Sequence, residues 1–289
     1  MSLMPKKKKS FSDAAKSLEK KMLLKNIAET TDLPTPNANM MKLVRLLRDD
    51  EVELQKLVIL INKDQALVAK ILKLINSGYY GIRKTIDSVE RAINLLGLLK
   101  IRQLVYSASV MDMFGATEQN EWEHAYSSSV LMSNIMQDNQ LPASSNLPLT
   151  TLMHDIGKIA LRKFAPKKYK MVKLLAEEEQ IPLHEAETRL LQLNHAEAGA
   201  YLLKSWGMEE NIWVPVREHH INTLMPREYT LEITLLQIVN WVDSKARDLP
   251  CPVFPHQEVI NSIGLEPIDK LQWVNYQHKL LESINSEKE

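Results

Sequence analysis

Leu152-Met153-His154-Asp155-Ile156-Gly157-Lys158-Ile159-Ala160-Leu161 sets an imidazole beside a carboxylate inside an apolar run. Neighbouring residues on a helix point about 100° apart, so His154 and Asp155 cannot share one small apolar pocket and need a common polar partner. Neutral imidazole nitrogen and carboxylate oxygen together suit zinc, iron or manganese, and a carboxylate can bridge two ions. Lys158 follows one turn on, within reach of an anion held there. For the dipeptide alone the plainer reading is preferred, a buried hydrogen-bonded pair in a helix opened by Leu152. The other histidines decide between the two.

Around this run the composition is that of a folded, mostly helical chain. It has 289 residues, 45% of them hydrophobic, and only 8 glycines, enough for one large core or two smaller ones. Thirty-six basic residues balance 36 acidic ones, so no global charge points to nucleic acid or a membrane surface. The single cysteine, Cys251, excludes an intrachain disulfide framework and a cysteine-rich zinc site, and fits a reducing cytosol. No apolar run approaches the roughly 20 residues that span a bilayer, and no signal sequence is visible. A soluble, cytoplasmic protein is expected. Met1-Ser2-Leu3-Met4-Pro5 and the following Lys6 to Lys9 read as an expression scar and a solvated basic tail, placed within residues 1–24.

Upstream of the quoted run, apolar residues recur at helical spacing. Leu33-Pro34-Thr35-Pro36 is a rigid entry, and Asn37 or Asn39 is suited to cap a helix carrying Met40, Leu43, Val44 and Leu47. Leu54, Leu57, Val58 and Ile61 form the next stripe, and Leu67, Val68, Ile71, Leu72 and Ile75 another, ended by Asn76-Ser77-Gly78. Asp87 and Glu90 have the spacing of a capping box, with Gly97 as the stop of the helix they open. A further helix through Ile101, Leu104, Val105 and Ala108 closes this half near Phe114.

Downstream, His124, Ser128, Leu131 and Ile135 share one helical face, where a histidine is most often a hydrogen-bonded core residue. Pro142 to Pro148 read as a loop. Pro166 and Pro182 separate helices, with Glu185 and Glu187 favouring a positive N-terminal end. Asn194 is placed to cap a helix opening at His195, and Gly199 permits close helix packing. His219-His220 ends a helix, and Asp243 lies on the inward face of a helix from Tyr229 to Arg247. Each polar residue has a plain reading by itself: cap neighbour, helix-dipole partner, surface charge.

Leu33-Pro34-Thr35-Pro36, Asn76-Ser77-Gly78-Tyr79-Tyr80-Gly81 and the run from Thr85 to Gly97 together resemble the HDOD domain, a bacterial relative of the HD phosphohydrolase superfamily. The resemblance runs from about Leu33 past His220 and implies an all-helical regulatory module in bacterial signalling. Without it, Asn76, Tyr79 and Tyr80 read as a helix end with half-buried aromatics. It also implies that His154, Asp155, His195, His219, His220 and Asp243 form a two-metal site of the kind seen in HD-GYP phosphodiesterases, with His124 a looser match. His184, His256 and His278 stay outside that pattern. Asp155 would bridge the ions and Lys158 hold a substrate phosphate. Two departures stand out: Ile221 follows the paired histidines where an acid is usual, and the Asn222 to Tyr229 loop lacks Gly-Tyr-Pro.

The expectation is therefore an all-α protein in which an N-terminal helical lobe, residues 25–117, packs on an HD-like lobe, residues 118–250. A C-terminal helical extension, residues 251–289, is expected to carry no catalytic content. One or two divalent ions, iron, manganese or zinc, are expected at the histidine cluster. The expected partner is a signalling protein or a nucleotide-like ligand. Three functions compete: an HDOD regulatory protein, a metal-dependent phosphohydrolase acting on a phosphodiester or nucleotide, and a metal-free interaction scaffold.

Overall fold

A computed structural model describes residues 11–29, 38–47, 53–77, 80, 82, 84–114, 119–144, 146–222, 228–265 and 269–285. Among the described residues the chain is helical, with no strand. Fifteen α-helices follow one another: α1 Phe11–Ala28, α2 Ala38–Leu47, α3 Leu54–Asn62, α4 Gln65–Ile75, α5 Val89–Val110, α6 Gln119–Asp138, α7 Leu147–Met153, α8 Ile156–Phe164, α9 Pro166–Glu179, α10 Leu183–Leu191, α11 His195–Ser205, α12 Glu210–Glu218, α13 Thr230–Ala246, α14 Gln257–Ser262 and α15 Lys270–Asn285. No described helix is long and apolar enough to cross a membrane.

The expected tail ends earlier than residue 24. Helix α1 is already running there, with Leu24 and Ile27 buried and Lys20 Nζ 2.8 Å from Glu197 of α11. Its many lysines obscure an apolar face that its neighbours complete. Lys6 to Lys9, the Leu33 to Pro36 entry, Asn37, Gly78, Tyr79, Gly81 and the boundary expected at Gly115 to Glu118 lie outside the described residues. Buried side chains on either side of that boundary belong to one cluster, which runs from Leu24 of α1 through α5 to Val216 of α12.

Local sequence explains several element ends. Asp64 caps α4 by accepting from the Leu67 amide at 3.0 Å. Asn76 ends it and also sutures the following loop, since its side chain donates to the Ile86 carbonyl and accepts from the Ile86 amide, each at 2.8 Å. The expected capping box at Asp87 and Glu90 is replaced by Ser88, which accepts from the Arg91 amide. Asp87 instead pairs with the Arg91 guanidinium, and Glu90 accepts from Asn62. Gly97 leaves helical space at φ +74 and ψ 170, so α5 is two helical stretches that meet at this residue, the stop the sequence placed there. The second stretch starts directly after the glycine and buries Ile101, Leu104, Val105 and Ala108.

Two features set up the quoted run. The expected loop from Pro142 ends at Asn146, and α7 begins there with Pro148 in its first turn. His154 and Asp155 therefore do not sit inside a helix opened by Leu152. They form the break between α7 and α8, with Asp155 at φ −100 and ψ 5. The second feature is the crossing of α8 and α11 at glycine. A Cβ added at Gly157 would lie 2.0 Å from the His195 carbonyl oxygen, and one at Gly199 3.2 Å from the Gly157 nitrogen. Only a hydrogen at Gly157 lets the two backbones touch, which brings the His-Asp break against the start of α11.

Candidate metal centre

Four of the site histidines are anchored at Nδ1. That of His154 lies 2.6 Å from the Thr151 carbonyl and that of His219 lies 2.6 Å from the Val216 carbonyl, each three residues back. A carbonyl only accepts, so both Nδ1 atoms carry the proton and leave Nε2 as a lone pair. His195 donates from Nδ1 to Glu187 at 2.7 Å, and the same carboxylate oxygen accepts the His195 amide at 2.7 Å. His124 donates from Nδ1 to Asp243 at 2.6 Å. This is the arrangement in which outer groups orient imidazoles for an ion.

The free edges converge on Asp155. One carboxylate oxygen lies 3.0 Å from His195 Nε2, and the other lies 3.1 Å from His124 Nε2. The same second oxygen bonds Lys158 Nζ. His124 Nε2 is 3.1 Å from His154 Nε2, and His220 Nε2 is 2.9 Å from His195 Nε2. Two groups of donors result, His124 with His154 and Asp155, and His195 with His219 and His220, each within 4.8 Å of one another.

These residues fit divalent ions. His219 Nε2 and His220 Nδ1 are buried without a hydrogen-bond partner among the described residues, a costly state unless something else satisfies them. Two nitrogens about 2.1 Å from one ion and at right angles stand roughly 3 Å apart, close to the spacing of the histidine pairs. The donor set, nitrogen-rich with one carboxylate between the two groups, is compatible with a divalent metal.

The family model for the HDOD domain matches residues 33–222. The chain belongs to the HDOD family. This HDOD protein is 27% identical over 215 residues to an uncharacterized protein of Treponema pallidum (strain Nichols), a match covering 72% of the chain and 42% of that relative. The chain thus spans less than half of the relative's length. Among solved structures it resembles an HDOD domain protein of unknown function from Geobacter sulfurreducens, at TM-score 0.70 and 21% identity, over 93% of this chain and 94% of that one. It also resembles a protein from Marinobacter aquaeolei VT8 provisionally named for signal transduction, at TM-score 0.73 and 19% identity, over 95% and 65% of the two chains. A protein from Shewanella amazonensis SB2B provisionally named a phosphohydrolase follows at TM-score 0.62 and 17% identity, over 91% and 97%. Identities this low establish the shared fold.

Charge in the HDOD site is strongly organised. Burial drives the His154 imidazole down to about 4, and it carries His219 and His220 well below the ordinary histidine value. Burial works against the Asp155 charge too, yet His154, Lys158 and His195 hold its carboxyl well below the usual carboxylate range. Against the same desolvation, Glu187 and Asp155 raise His195 to about 9. The pocket thus keeps Asp155 ionised, with His195 and His124 raised against it and His154, His219 and His220 held neutral by burial.

Six of the residues expected at the site, His124, His154, Asp155, His195, His219 and His220, are brought together, with Lys158 on the rim. Asp243 stands one step behind. His124 and Arg247 each approach one of its oxygens at 2.6 Å, while Ser127 at 2.9 Å and Gln277 at 2.5 Å approach the other. Its carboxylate is taken up by these donors and reaches the centre through His124. Three participants escaped the sequence reading. Glu187, expected to serve a helix dipole, is fully buried against His195. His184, expected to lie apart, stacks on His220 with ring centres 3.8 Å apart. Gln277 brings the C-terminal extension into the site. Its one sequence signal is a polar residue within the apolar spacing of Val274 and Leu280.

Proposed function

We propose that this HDOD protein is a regulatory, signal-transduction module whose histidine cluster holds one or two divalent ions and, through them, a phosphate-bearing ligand. The observation that supports this reading is the convergence of oriented Nε2 lone pairs on a carboxylate whose two oxygens face different donor groups. His219 Nε2 and His220 Nδ1 find no protein partner among the described residues, and an ion would satisfy both. Iron, manganese and zinc suit the donors, and a reducing cytoplasm suits a chain whose only cysteine is a free thiol.

In this reading His154, His195, His219, His220 and His124 would hold the ions, with Asp155 between them. The ions would supply neutralisation of phosphate oxygens and a more acidic bound water. The chain's own groups do the rest. Glu187, Asp243 and the two backbone carbonyls fix the imidazoles, and Lys158 sets an ammonium at the rim, where a phosphate oxygen would accept from it.

Hydrolysis is the second reading, favoured by the direct contact of Lys158 with Asp155 at the mouth of the site. Water would add to phosphorus as the ester P–O bond breaks, and the departing oxygen would take a proton. Ile221 after the histidine pair and the missing Gly-Tyr-Pro argue against cyclic dinucleotides as the substrate.

The test is elemental analysis of protein purified without chelator, followed by turnover assays on a panel of nucleotides and phosphodiesters. Retained metal without turnover is expected for the regulatory module, and retained metal with turnover for the hydrolase. Absence of metal after iron, manganese and zinc supplementation would overturn both.

A further inference from the structure

The two donor groups open into different chambers. His124 and Asp155 line a cavity of about 460 Å³, and His195 and His220 line another of about 490 Å³. Lys158, Leu183, Asn240, Ser244 and Leu249 border both, so the chambers meet over the lysine. Each volume lies in the range of a small-molecule site. The chambers also differ in character. The first carries Lys173 and Arg247, the latter bonded to Asp243, and of its two carboxylates Asp155 meets Lys158 while Glu121 is bonded to Arg162 at 3.0 Å. The second is lined by Ile181, Pro182, Pro250 and Pro252, and by Glu177 and Asp248, with Lys158 as its one lysine or arginine among the described residues.

We infer that the ligand is an unsymmetrical phosphodiester, with its phosphate at Lys158, an anionic arm in the Lys173 chamber and a neutral, flat, apolar arm in the proline-walled chamber beside His184. This rests on the proposed metal and phosphate site and adds the shape and charge of what enters it. A phosphomonoester has one substituent and would leave one chamber to water. A diester has two, one for each of the chambers that Lys158 borders. Lys173 is exposed, lies 5.8 Å from the Tyr169 ring centre and has no carboxylate within ion-pair distance among the described residues, so its ammonium can turn to an acidic arm. In the other chamber an acidic arm would meet Glu177 and Asp248, whereas an aromatic ring would gain contact with the prolines and the face of His184.

Calorimetric titration of the manganese-loaded full chain tests this with orthophosphate, phenyl phosphate, diphenyl phosphate and phenyl 4-carboxyphenyl phosphate. The mixed ester is expected to bind about tenfold or more tighter than phenyl phosphate, and tighter than diphenyl phosphate. Lys173→Ala should bring the mixed ester down to the level of diphenyl phosphate. Ile181→Trp, which fills the apolar chamber, should weaken both diesters. Orthophosphate binding should be unchanged in both variants and reports an intact centre. Equal binding of monoester and diesters, or equal weakening of both diesters by Lys173→Ala, would overturn the inference while orthophosphate binding left the proposed function standing. Loss of metal and orthophosphate binding in the unaltered chain would overturn both.

Discussion

Gln277 of α15 donates from Nε2 to Asp243 Oδ1 at 2.5 Å, 34 residues away in the chain, and the side chain that does so is fully buried. Its own carbonyl oxygen has no partner. A buried amide left half satisfied costs stability that leucine would not, so the residue serves the carboxylate it touches. Asp243 in turn orients His124, which faces Asp155. A helix beyond the family match thereby fixes one edge of the centre.

Gln277→Leu is expected to lower affinity for the ion at the His124 group by about 10–100-fold, leaving the His195 group filled. Metal stoichiometry by elemental analysis, with manganese resonance spectra to separate paired from single ions, reads this directly. Unchanged stoichiometry and affinity would show that α15 is only packing.

Asp155→Ala should empty the site of metal more than any histidine substitution, because one residue faces both donor groups. His256→Ala, exposed and in neither donor group, is the matched control. His184 is unsuited to that use, since it stacks on His220. Equal metal content in the Asp155 and His256 variants would contradict a bridging carboxylate.

Gly157→Ala should cost at least about 1–3 kcal/mol and separate the His-Asp break from α11, since the new methyl would meet the backbone carbonyl of His195. Gly199→Ala, with its nearest contact at 3.2 Å, should cost less. Thermal unfolding of the two variants gives the comparison, and equal midpoints would count against the tight crossing.

Metal-free protein should be most stable near pH 6.5. Burial depresses His154 and His184 to about 4, so their contribution is present above 6.5 and is lost as pH falls through about 4. Glu187 and Asp155 raise His195, against desolvation, to about 9, so its contribution is present below 6.5 and is lost as pH rises through about 9. Melting temperatures of chelator-treated protein across pH 4 to 9 check the shape. A flat profile would contradict these assignments.

The sequence by itself determined the all-helical class, the positions of most helices and the roll of histidines, because apolar spacing, caps and prolines act over a few neighbouring residues. Asn194 was readable as the cap of α11, and its side chain accepts from the Glu197 amide at 3.0 Å. Asp87 and Glu90 were not, since Ser88 and the capping box satisfy the same local rule and only the packed chain chose between them. Tertiary structure alone decided which groups stand behind the histidines. Glu187, Asp243 and Gln277 carry the charge or amide of an ordinary surface residue, and their roles come from helices crossing at distances no local spacing encodes. It also decided that His154 and Asp155 break a helix rather than ride one. The close approach of the His195 carbonyl to Gly157 is a contact between segments 38 residues apart, outside the range of any local signal.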